Sequence, residues 1–139
     1  MRAAGSAREG VRSVFESVAT ELERQGFVRG CPLNNLAHEL SLADPDFRAA
    51  LAGIFSAWRE AVADKIRADQ QAGRERETDP QRFAALAVAT YSGAMSIAKT
   101  TQDAGVLCDC LNALEQASSS KGGAGAKRRR RVLRQYSAF

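Results

Sequence analysis

Apolar side chains recur along the chain at helical spacing, and their interruptions divide it into five segments. Val11, Val14, Phe15, Val18, Ala19 and Leu22 fall three and four residues apart, which places them on one face of a helix that starts at Ser6 or Val11 and stops at Gly26. Residues 1–10 are rich in Ala, Gly and Arg and are expected to be a flexible N-terminus. Pro32 suits the first position of a second helix bearing Leu33, Leu36, Ala37 and Leu40, because proline lacks an N–H that the first turn would leave unpaired. Asp44-Pro45 predicts the cap and first residue of a third, long helix with the stripe Phe47, Leu51, Ile54, Phe55, Trp58, Val62 and Ile66, ending by Gly73. Asp79-Pro80 repeats that signal for a fourth helix reaching about Lys99, and a fifth runs from Val106 to about Ala117. The pattern predicts an all-α, five-helix bundle over residues 11–117. Residues 118–139 are expected to form a disordered Ser/Gly linker and a basic tail.

The fourth helix departs from ordinary amphipathicity. Ala84, Ala85, Ala87, Ala89, Ser92, Gly93, Ala94, Ser96 and Ala98 alternate with Phe83, Leu86, Val88, Tyr91, Met95 and Ile97, so the helix is small or apolar nearly all round. Such a helix needs partners on more than one side. One partner is the chain's own core; the other is a second copy of the chain or, in a solid monomeric bundle, a further helix.

Composition adds to this picture mainly through charge. The formal net charge is +4, yet residues 121–139 hold seven of the 20 Lys and Arg and none of the 16 Asp and Glu. The preceding residues therefore carry 13 basic against 16 acidic side chains, so the helical part is mildly acidic and has no electrostatic footprint for gripping DNA. Lys127, Arg128, Arg129, Arg130 and Arg131 suit non-specific, salt-sensitive phosphate contacts, or a solvated tail without a partner. No apolar run has the length of a membrane span, and Arg2, Arg8, Glu9 and Arg12 interrupt any signal-peptide core, so the chain is expected in the cytoplasm with its three cysteines reduced.

The stretch Gly30-Cys31-Pro32-Leu33-Asn34-Asn35-Leu36-Ala37, the Asp-Pro-started helix with central Trp58-Arg59, then Ser92-Gly93-Ala94, and Ala98-Lys99 before Asp103 together resemble the ligand-sensing C-terminal half of a TetR-type transcriptional regulator. The resemblance covers approximately residues 10–117. It implies a sensor domain whose last two helices pair with their symmetry mates as a four-helix dimer interface, here through Ser92, Gly93, Ser96, Ile97, Leu107, Leu111 and Leu114. Such regulators open with a helix-turn-helix domain, and no segment of this chain supplies one, so specific DNA binding by this chain alone is not expected. The expected partners are a second copy and a small, mainly apolar effector.

Candidate chemistry is sparse. Phe55, Trp58, Tyr91 and Met95, with Asn35, His38 and Thr90 as polar groups, frame a ligand cavity between helices or, equally, a solid core. His38 is the only histidine, and no nucleophile or paired carboxylate stands at a fixed offset from it, so no catalytic site is expected. Cys108 and Cys110 diverge by about 200° on a helix and cannot share a metal, so neither metal nor cofactor is expected. Cys31, ahead of Pro32, is a candidate redox thiol, because a helix start favours a thiolate; it serves equally as a small apolar filler. The functional expectation is a small-molecule-sensing, dimerising domain. The alternative is a helical module that forms mixed dimers with full-length regulators and needs no effector.

Overall fold

A computed structural model describes residues 5–75 and 78–119. Among them are five helices and no strand: α1 (Ala7–Gln25), α2 (Pro32–Leu40), α3 (Pro45–Gln71), α4 (Pro80–Thr101) and α5 (Gly105–Ser119). Prolines open α2, α3 and α4 where the sequence places them, and Asp44 and Asp79 cap α3 and α4 by accepting backbone N–H bonds from Asp46, Phe47 and Arg82. No helix among the described residues is long and apolar enough to cross a membrane.

Two boundaries differ from expectation. α1 begins at Ala7 with Ser6 as its cap, the earlier of the two expected starts, so residues 7–10 of the expected flexible N-terminus are helix. The cause is local: Ser6 Oγ accepts the Glu9 N–H while Glu9 Oε2 accepts the Ser6 N–H, a reciprocal capping box that satisfies two end groups. α5 likewise continues through Ser118 and Ser119, beyond the expected end near Ala117. The basic run Lys127–Arg131 lies outside the described residues.

α4 is the central element, packed along α3 on one side and α5 on the other, while α1 lies against α5. The main core joins Phe15, Ala19 and Leu22 of α1 to Ala94, Met95 and Ala98 of α4 and to Leu107 and Leu111 of α5. A second cluster joins Ala7, Ile66, Phe83, Ala87 and Leu114. Burying a side chain such as Ile66 or Leu107 completely contributes about 1.5–3 kcal/mol. Alanines at 84, 94 and 98, each essentially inaccessible, let α4 approach its neighbours closely.

Polar contacts fix the ends of the bundle. Gln102, in the left-handed conformation at the end of α4 (φ 54°), places its side-chain amide against Val28, accepting the Val28 N–H and donating to its carbonyl, each at 3.0 Å. That pair fastens the loop between α1 and α2, where Gly26 ends α1 with φ 69°. Buried Asn34 donates to the Ser92 carbonyl at 3.0 Å and ties α2 to α4.

Candidate ligand cavity

α1 and α3 do not close on each other along their whole length. Between them and α4 lies a cavity of about 440 Å³. α1 lines it with Ala7, Gly10, Val11, Val14 and Phe15, α3 with Trp58, Ala61, Val62 and Lys65, and α4 with Ala87, Val88 and Tyr91. The gap follows from side-chain size: Gly10 and Ala61 present little to fill it, and an added Cβ at Gly10 would meet no atom within 4 Å. Val14 stays 53% exposed because nothing covers it.

An aromatic chain gives this space a defined wall. Phe15 meets Tyr91 edge-on with ring centroids 5.5 Å apart, Tyr91 meets Trp58 at 6.3 Å, and Trp58 meets Phe55 at 5.7 Å. Burial, and secondarily the electrostatic influence of nearby Cys31, raise the Tyr91 hydroxyl above its ordinary pKa. It therefore remains a neutral hydrogen-bond donor at physiological pH.

The base of the cavity is a polar knot. Asp69, 2% exposed, accepts the Ala7 N–H at 2.6 Å through Oδ2 and two bonds from the Arg74 guanidinium, at 2.5 and 3.1 Å, through Oδ1. Burial disfavours its charge. The Ala7 N–H bond, the Arg74 bonds and the nearby Lys65 and Arg74 charges outweigh that penalty and hold its carboxyl below the usual carboxylate range. Beside it, Arg8 pairs with Glu75 at 2.9 Å, donates to Thr78 and Ser118, and stands over the Phe83 ring at 5.0 Å. The start of α1 is thereby tied to the end of α3, the start of α4 and the end of α5.

Of the residues expected at a ligand site, Trp58 and Tyr91 line the cavity; the others are elsewhere. His38 is exposed on α2, and Asn35 donates to the Arg29 carbonyl while accepting from Lys99 Nζ at 3.1 Å. Phe55 backs Trp58 without lining the space, Thr90 is half-buried on α4 outside it, and Met95 is buried in the main core. The cavity lies between α1, α3 and α4, whereas the expected site residues were drawn from α2, α3 and α4. Cys31 is buried among Phe15, Ala94 and Leu107, a filler environment without the exposure that an oxidant-sensing thiol requires.

The expected interface divides in the same way. Leu107, Leu111 and Leu114 are 0, 2 and 4% exposed within one chain, so they belong to the core and not to an outer surface. Gly93 and Ile97 are exposed, and with Leu86 and half-buried Thr90 they form a stripe along the outside of α4. Ser92 and Ser96 are half-buried at its margin, where Ser96 Oγ donates to the Ser92 carbonyl. Sequence reasoning missed Asp69, Lys65 and Arg8. A signal existed for Asp69, which falls three residues after Ile66 and seven after Val62, on the apolar stripe of α3. An acidic residue at such a position calls for a buried partner.

Relatives accord with this architecture. Over 88 residues, 62% of this chain, it is 35% identical to the transcriptional regulator AcuR of Cereibacter sphaeroides. The matched stretch spans only 40% of that regulator's length. No solved structure matches the chain significantly. The family model for the C-terminal domain of LmrA/YxaF-like transcriptional regulators matches residues 7–113, and the chain therefore belongs to this TetR-type family and carries its C-terminal domain.

Proposed function

We propose that this domain senses a small, mainly apolar effector in the cavity between α1, α3 and α4, and that it self-associates through the outer stripe of α4. The observation that carries the sensing role is the cavity itself: about 440 Å³ of space walled by Val11, Val14, Trp58, Val88 and Tyr91. Its floor includes Ala7, the first residue of α1. In regulators of this kind the DNA-reading part precedes the C-terminal domain, so a ligand pressing on the first turns of α1 acts at the end nearest that part. The apolar stripe Leu86, Gly93 and Ile97 supports self-association, since Leu86 and Ile97 are 45 and 50% exposed in the single chain.

A thermal-melt screen of apolar compounds, read together with Trp58 fluorescence, tests the sensing role. A compound at a hundred times its dissociation constant should stabilise the fold by about 2.7 kcal/mol. Trp58→Ala should weaken that binding more than it weakens self-association. A broad screen without a stabilising compound would contradict the reading.

A further inference from the structure

The cavity has one charged side chain in its wall, and the surroundings of that charge indicate what it recognises. Lys65 sits on α3 one turn beyond Ala61 and one turn before Asp69. The carboxylate of Asp69 is already engaged by the Ala7 N–H and by two bonds from Arg74. Lys65 Nζ stands 3.7 Å from Asp69 Oδ1, outside hydrogen-bond distance, and among the described residues no other acceptor takes its protons. The hydrogen bonds of Asp69 thus come from Ala7 and Arg74, and Lys65 contributes an ion pair to it while its N–H donors make no hydrogen bond among the described residues, beside an apolar space.

Resting on the cavity reading above, we propose that Lys65 anchors the carboxylate head of an otherwise apolar ligand, whose body lies against Val11, Val14, Trp58 and Val88. A charge-assisted bond to an ammonium is stronger than a neutral one, and apolar surroundings strengthen it. A cationic head would be repelled by Lys65, and a hydroxyl head would forgo the ion pair.

Decanoate and 1-decanol share a tail and differ in the head, so titrating each into the full 139-residue chain, with Trp58 fluorescence as the signal, isolates the head group. The native chain should bind decanoate about tenfold or more tightly than 1-decanol. Lys65→Met should bring the two affinities together while leaving 1-decanol binding in place, and Lys65→Arg should keep the preference. A native ratio near one overturns the role of Lys65 whatever the variants do, and so does a preference that survives in Lys65→Met; both leave the cavity reading standing. Failure of both probes to bind saturably overturns the cavity reading and this proposal together.

Discussion

The two ends of α4 use similar residues and reach opposite packing. Around Ala94 and Ala98, the leucines of α5 and Phe15 and Ala19 of α1 leave almost no accessible surface. Around Ala87, Val88 and Tyr91, the facing residues are Gly10 of α1 and Ala61 of α3, and a cavity remains. The difference lies in the neighbours. Small residues on a central helix permit close approach, but only a large side chain opposite them fills the volume. A bundle can therefore be rigid at one end and receptive at the other without any change in helix character.

The largest effect should come from the filled end. Leu107→Ala removes a side chain with no accessible surface from the centre of the main core and should cost about 2–5 kcal/mol, measured by denaturant unfolding. A loss below about 1 kcal/mol would show that this end is no better packed than the cavity.

Next comes the knot beneath the cavity. Asp69→Asn removes a buried charge that holds the start of α1 and should cost about 2–3 kcal/mol. The carboxyl is held below its ordinary 3.8, so the unfolded chain takes up a proton more readily than the folded one. The contribution is then fully present above about pH 4 and fades as the pH falls through the lower folded value. Acid unfolding of native protein should show this step, and Asp69→Asn should lack it.

Gly93→Leu should have the smallest effect on the fold, because a Cβ there meets no atom within 4 Å in one chain. At a self-association surface the same change should cost about 1–3 kcal/mol and shift dimer to monomer with helicity retained. Sedimentation of the native chain as a monomer at micromolar concentration would remove the outer stripe of α4 from the account.

Helix starts were legible because they rest on local chemistry: Pro32, Asp44-Pro45 and Asp79-Pro80 each stand where the structure begins a helix. The start of α1 was legible only in the Ser6 to Glu9 spacing, which the flexible composition around it obscured. Which face of α4 meets which helix was not legible, since small residues surround it and the choice is made by distant partners such as Leu107 and Trp58. The cavity lay further out of reach. It depends on Gly10 of α1 and Ala61 of α3 both lining it, residues without periodic or chemical signal of their own.

The central claim is that the space beside Trp58 is receptive and not a gap between side chains. Trp58 is the only tryptophan, so its fluorescence is a single-site signal from the wall of that space. Titration of 1-decanol should give a saturable change in the native chain, and Ala61→Phe, which places a ring in the cavity, should weaken it about tenfold or more while leaving the fold intact. A response that never saturates, or one that Ala61→Phe leaves unchanged, would contradict the account.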